Sequence, residues 1–363
     1  MGPTSRPFQM MRFLHTYAER HADLTQSVLT RAATFRTKRL IVFLTPGFEM
    51  RTGGVMAIAS FYRESIALRH IHGAKVVLCT LPGDSPFLKY NWFENHNYIL
   101  DLESVLKGCT HLEYLSIHIP AYTVDRILDW LTVTSSTLLS NIREIHLNIL
   151  LMNIDSIQGK NVSGLKRFGK VTCTTAHEAY TNSTTREAMG VPLHRLSVCI
   201  GPDNYSLSGY REKEPLLIVS PDPHPLKEKV LHRIAQACPD LTIKIIENLS
   251  YGDYTKLARR AKWSLTFGEG LDGYFIEPVL SGGVSFAVFN DRFFTAPFSN
   301  LETLYQSWEV LMENITADIK RLDEPVAYDR CWRRAYDLAC SLYSTEQFRE
   351  NLRMFYRGEY TFP

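Results

Sequence analysis

The sequence of 363 residues contains seven cysteines, yet no Cys-x-x-Cys pair occurs among Cys79, Cys109, Cys173, Cys199, Cys238, Cys331 and Cys340. Scattered cysteines of odd number argue against both a disulfide framework and a thiolate zinc site, and a reducing cytoplasm is the expected compartment. No run of five or more Lys or Arg is present and the net charge is only +2, so a nucleic-acid partner is not expected. No apolar stretch approaches the ~18 residues of a spanning helix, and no signal-peptide pattern opens the chain. The Gly-x-Gly-x-x-Gly fingerprint of dinucleotide binding is missing as well, which argues against a dinucleotide oxidoreductase.

What is present is ordinary globular composition, 45% hydrophobic and 21% charged. A chain of this length predicts about two domains at roughly 150 residues each. Residues 1–38 are basic, with Arg6, Arg12, Arg20, Arg31, Arg36 and Lys38 against Glu19 and Asp23. Apolar residues recur there near helical spacing, which predicts an N-terminal helical segment, docked on its own domain or lying on an anionic membrane surface.

The run "RLIVFL" predicts a buried strand, followed by a glycine turn, a helix from about Val55 and a second strand "AKVVLCTL". This βαβ unit puts Gly53 and Gly54 at a helix start, where backbone N–H groups can approach a phosphate. The same glycines also suit a plain tight turn. Residues 82–98 hold five aromatics in a polar loop, either a surface for sugar rings or a packed connection. Further strands are expected within 112–119, 142–151, 170–175 and 194–199. The polar connection 201–215 separates this first domain from a second series of strands and helices beginning at "LLIVS" (216–220). From Thr303 on the pattern reads as helical.

The most informative stretch is "SLTFGEGLDGYFIEPVLSGGVSFAVFN" (264–290). A strand ending near Phe267 delivers a glycine loop to the carboxyl edge of a parallel sheet, where open α/β folds bind ligands. Glu269 lies in that loop and Glu277 in the first turns of a helix expected to start near Tyr274 and to end at Gly282 and Gly283. Carboxylates near a helix N-terminus are favoured as anions and accept from hydroxyl pairs such as those of ribose or a hexose. Phosphate would instead be held by the amides of Gly270, Leu271, Asp272, Gly273 and Tyr274, with Lys227 from "SPDPHPLKEK" as the best-placed cation.

These residues resemble the retaining GT-B glycosyltransferases of the broad family 4 type, whose hallmark is Glu, seven residues, Glu, here Glu269 to Glu277. The similarity extends to 256–267, to 171–205 and to the glycine loop and helix of 51–65. It implies an α/β chain of two Rossmann-like doubly wound domains facing a cleft. The first, 39–205, would hold the acceptor and the second, 206–325, the sugar nucleotide, with C-terminal helices of 326–363 crossing back over the first. The resemblance further implies that Glu277 bonds the nucleotide ribose and that Glu269 and the amides after it contact the donor sugar. Lys227 would stabilise the leaving diphosphate, which Gly54 would let the backbone approach. No metal or other cofactor is implied, consistent with the lack of an Asp-x-Asp motif. His118 and His177, each near a strand end, are candidate acceptor or sugar contacts.

Three residues depart from the family pattern: Asp272 for a glycine, Pro278 for a small helix former, and Ser285 for a valine. Proline is tolerated only in a first helical turn, so the helix is expected to start late or to kink near Glu277. The implied activity is transfer of a sugar from a nucleotide-diphosphate sugar to a glycan or lipid-linked acceptor, in bacterial surface polysaccharide synthesis, with peripheral membrane contact. Alternative readings are a catalytically silent scaffold of the same fold and a nucleotide-sugar epimerase.

Overall fold

The computed structural model describes residues 36–47, 53–84 and 99–363. The basic segment 1–35, residues 48–52 of the glycine turn, and 85–98 of the aromatic connection lie outside the described residues. Two compact units emerge. The first comprises residues up to Ala176, Thr181–Leu196 and Asn351–Pro363, and the second His177–Tyr180 and Ser197–Glu350.

Unit 1 is built on a seven-stranded parallel sheet in the order β3-β2-β1-β4-β5-β6-β7. The strands are β1 (Arg39–Thr45), β2 (Lys75–Thr80), β3 (Ile99–Leu100), β4 (Tyr114–Pro120), β5 (Glu144–Leu151), β6 (Lys170–Thr175) and β7 (Leu193–Arg195). Leu40 to Leu44 are all fully buried, as a continuous apolar run must be when helices cover both faces of a parallel sheet. Edge strand β7 is capped by the C-terminus, where Leu193 and Phe362 exchange two backbone hydrogen bonds of 2.8 Å.

A polar ladder crosses this core. His146 Nε2 meets Thr172 Oγ1 at 2.8 Å, Thr172 Oγ1 donates to Asn148 Oδ1 at 2.9 Å, and Asn148 Nδ2 lies 3.0 Å from His118 Nδ1. Phe355 closes over it, its ring 5.7 Å from both His118 and His146.

Unit 2 carries β8 (Glu214–Val219), β9 (Thr242–Ile245), β10 (Ala261–Leu265), β11 (Val284–Val288) and β12 (Leu304–Tyr305). They form a five-stranded sheet of order β12-β11-β10-β8-β9, and every pairing is parallel. The order reverses between β8 and β10, the switch point at which doubly wound sheets leave a crevice beyond the strand ends. The region after Thr303 is therefore not wholly helical: two residues pair with β11 as β12 before the Trp308–Leu322 helix begins. Such a short strand has no readable period.

The helix Pro325–Leu342 packs within unit 2. Tyr328 Oη donates to the carbonyls of Lys262 and Gly282, and Trp332 Nε1 to that of Val279. No described helix is long and apolar enough to cross a membrane.

Candidate functional site

At the carboxyl ends of β8 and β10 two loops run side by side. Ser220, just past β8, donates its amide to Leu265 O at 3.0 Å, and its Oγ accepts from Phe267 N at 2.9 Å. Helix Lys227–Ala237 follows the first loop and helix Gly273–Leu280 the second.

Lys227 turns back to this edge, its Nζ donating to Ser220 O at 2.7 Å and to Asp222 O at 3.0 Å. Desolvation lowers its pKa, against the pull of Asp222 and Glu247. An ammonium has three protons, and these two carbonyls engage two of them.

Asp272 is the N-cap of the Gly273–Leu280 helix. Its Oδ1 accepts from Phe275 N at 3.0 Å and its Oδ2 from Thr266 Oγ1 at 2.7 Å. The residue keeps some surface exposed while its carboxyl is enclosed, and desolvation, with Asp222 adding to it, pushes its pKa up to about 7. Asp222 approaches from the other loop: a methyl group built on Gly268 would sit 2.8 Å from Asp222 Oδ2 and 3.0 Å from Asp272 Oδ2. Asp272 therefore has a local role as a helix cap with both oxygens engaged.

The helix begins at Gly273, so Pro278 stands inside it. The expected late start does not occur. Two carbonyls of the helix accept from side chains: Tyr254 Oη donates to Gly273 O at 3.0 Å and Ser285 Oγ to Phe275 O at 2.8 Å. Ser285 also accepts from Ser264 Oγ at 2.7 Å, which gives the serine in the valine position a packing role between β10, β11 and the helix. Gly282, at φ +89°, ends the helix as its spacing implied.

Glu277 is 6% exposed. Burial pushes its carboxyl up to about 8, although hydrogen bonds from Tyr251 and Tyr205 pull the other way. Loss of water is the largest influence on this carboxyl, which sits beyond the first turn of the helix. Tyr205 and Tyr251 meet at 3.1 Å between their hydroxyls, while Glu277 Oε2 has no hydrogen-bond partner among the described residues. An orphaned buried acceptor is costly.

Glu269 lies between Gly268 and Gly270 in the β10 loop and is partly buried. Gly270 has φ +91°, and a methyl group there would come within 2.6 Å of the Phe294 ring and 3.1 Å of Val288 O, so the loop conformation needs glycine. Beside it opens a pocket of about 500 Å³ at the ends of β10, β11 and β12, bordered by Gly268, Gly270, Asn290, Gln306 and Trp308 among others.

The structure thus brings Lys227, Glu269, Gly270–Tyr274 and Glu277 to one sheet edge. His177 belongs to the same unit, with its ring 5.3 Å from Phe293, and burial lowers its pKa to about 4. His118 does not fit the expected contact role. It is 0% exposed and stacked on Phe43 at 4.2 Å inside unit 1, because β4 is sealed on both faces. Gly53 and Gly54 open the Gly53–Ala67 helix of unit 1, with no atom within 4 Å of a methyl group built on Gly53. Sequence reasoning missed Ser220, Asp222, Tyr205 and Tyr251, whose partners lie far off along the chain.

Two parallel doubly wound sheets with these helices define the GT-B fold. The chain is similar to the Anabaena protein HepE in complex with UDP and glucose, with a TM-score of 0.59 at 10% identity over 88% of this chain and 100% of that one. A HepE complex with UDP-glucose gives a TM-score of 0.58 at 10% identity, over 88% and 99% of the two chains. Sucrose-phosphate synthase from Thermosynechococcus elongatus gives 0.53 at 10% identity, over 88% and 98%. At such identity the likeness establishes the fold. No protein-family model matches the sequence, and no curated protein is similar to it in sequence.

Proposed function

We propose that this protein is a retaining glycosyltransferase that takes a sugar from a nucleotide-diphosphate sugar and passes it to a hydroxyl of a glycan or lipid-linked acceptor. The observation that carries the reading is the buried Glu277 Oε2, without a hydrogen-bond partner among the described residues, at the same sheet edge as the Lys227 ammonium. HepE, which shares the fold, has been crystallised with UDP-glucose, which supports a uridine or related nucleotide as the donor carrier.

In this reading Glu277 accepts from the nucleotide ribose and Glu269 from the donor sugar. The free proton of Lys227 and the amides of Gly270, Leu271, Gly273 and Tyr274 face the diphosphate. The bond from the anomeric carbon to the diphosphate oxygen breaks as the bond to the acceptor oxygen forms on the same face, and the acceptor proton passes to the departing phosphate oxygen. Preorganised donors that stabilise charge developing on the leaving group are the main catalytic resource. Asp272 holds the Gly273–Leu280 helix in place, and in unit 1 Gly53 and Gly54 leave a helix start open to a phosphate or acceptor group. Synthesis of a bacterial surface polysaccharide is the biological setting we assign, with the basic 1–38 segment suited to an anionic membrane face.

The test is release of nucleoside diphosphate from a panel of UDP-, GDP-, dTDP- and CDP-sugars with mixed glycan acceptors. Lys227→Met should lower the rate by about 10²–10³-fold while the protein stays folded. Acceptor-independent interconversion of the sugar would favour an epimerase, and no turnover of any donor would favour the silent scaffold.

A further inference from the structure

We propose that residues 351–363 form an acid-sensitive clasp on unit 1, held by four neutral imidazoles, His72, His118, His146 and His194, and released when these take up protons. The segment belongs to unit 1, and three of its aromatic rings lie on histidines of that unit. Phe355 is 5.7 Å from both His118 and His146 and 6.1 Å from His194. Tyr356 is 4.7 Å from His72, and Tyr360 is 6.3 Å from His194. All four imidazoles are buried, and they come from four elements: the helix Arg69–His72, β4, β5 and β7.

Hydrogen bonding favours the neutral ring. His72 Nε2 donates to Ser65 O at 2.9 Å, while its Nδ1 accepts at 3.0 Å from Ala74 N, a group that can only donate. Asn148 Nδ2 donates to His118 Nδ1 at 3.0 Å, with the amide held in that orientation by Thr172 Oγ1, which donates to Asn148 Oδ1. An imidazolium is a donor at both nitrogens, so protonating His72 or His118 sets one N–H against another. His194 ties the clasp directly: Nε2 donates to Asn351 O at 2.7 Å, which leaves Nδ1 to accept from Thr361 Oγ1 at 3.3 Å.

The surroundings act the same way. Burial lowers the pKa of all four rings, that of His146 to about 4. Arg39, Arg69 and His70 add to this at His72, Lys170 at His146, and His146 and His72 at His118. Glu64, in the helix Gly53–Ala67, lies 3.6 Å from Arg63, and Arg357 and Glu359 of the segment are exposed. The phenols of Tyr62, Tyr114 and Tyr356 are pushed up by burial and stay neutral, while the Tyr360 ring lies 4.8 Å from Lys170 Nζ. A buried cation among cations is costly. Opening returns the rings to water and to a pKa near 6.5, so it takes up protons and is favoured as pH falls below that value. The segment is the part that yields, because its backbone is tied to unit 1 through Phe362 with Leu193, Asn351 with His194 and Pro363 with Arg186. Strands β4 and β5 instead pair along both edges.

Hydrogen–deuterium exchange of the full chain at pH 7 and pH 5, corrected for the intrinsic exchange rate, tests the clasp. Protection of residues 351–363 should fall by about tenfold or more at pH 5, while β1 and β4 keep theirs. His194→Gln retains an amide that can donate to Asn351 O and a carbonyl that can accept from Thr361, yet does not titrate. It should shrink the fall by about twofold or more, and His72→Gln gives the same comparison if the first variant does not fold. Loss of protection in β1 and β4 together with the segment would mean global acid unfolding rather than a clasp, and would overturn the proposal. An unchanged segment in the wild type, or a fall of wild-type size in the glutamine variants, would overturn it as well.

Discussion

Ser220 Oγ accepts the amide of Phe267 at 2.9 Å, joining the loop after β8 to the loop after β10 at the point where the strand order of unit 2 reverses. The bond is buried, so removing it strands a backbone donor. Ser220→Ala should destabilise unit 2 by about 1–3 kcal/mol, read by urea unfolding. A stability equal to wild type would show that water or a shifted loop satisfies Phe267 N.

Two glycines should behave oppositely. Gly282 sits at φ +89°, and a methyl group on it would meet Ser208 O at 2.2 Å. Gly282→Ala is therefore expected to cost about 2–5 kcal/mol. Gly53→Ala meets open space and should stay within about 0.5 kcal/mol of wild type. Denaturant titrations of both variants check the contrast, which fails if the two losses are equal.

Glu277 gives stability an unusual dependence on pH. Its pKa rises from 4.5 to about 8 on folding through burial, and Asp272 moves in the same direction. A group bound to its proton more tightly when folded contributes fully below the unfolded pKa and loses that contribution as pH rises through the folded one. Stability of the ligand-free protein should fall between about pH 4.5 and 8 on this account, by roughly 2–4 kcal/mol from Glu277. Glu277→Gln should flatten the slope, and an unchanged slope would count against a buried acid.

The histidine ladder of unit 1 has the opposite sign. Burial lowers His146 to about 4, with Lys170 contributing, and holds His118 well below its ordinary value. Neutral imidazoles stabilise the fold above the unfolded pKa near 6.5, and that contribution disappears as pH falls toward the folded value. Urea unfolding at pH 7 and pH 4.5 should differ by about 2 kcal/mol for His146 alone, with His146→Gln losing less between the two.

Much of unit 2 was legible because its signals are local. Glycines around Glu269, the helix after them, and Gly282 with Gly283 before the next apolar run specify strand, loop, helix and cap within one stretch. Tyr205 and Tyr251 were not legible as partners of Glu277, since they lie 72 and 26 residues away in sequence and meet the carboxyl only through tertiary packing. That packing also raises the pKa of Glu277 through burial, because position in a helix says little about enclosure. The late helix start expected from Pro278 does not occur, since the helix runs from Gly273 to Leu280 with the proline inside it. His118 lies near a strand end in the sequence pattern and is interior because β4 lies between β1 and β5.

The central claim is that the edge carrying Lys227, Glu269 and Glu277 holds a nucleotide-diphosphate sugar. Calorimetric titration of UDP, GDP, dTDP and CDP, each with its common sugar conjugates, into the wild type and Glu277→Ala tests it most directly. The account predicts selective binding of one nucleotide that weakens at least tenfold in Glu277→Ala. Binding of no diphosphate nucleotide, or an affinity indifferent to the loss of the Glu277 carboxyl, would contradict it.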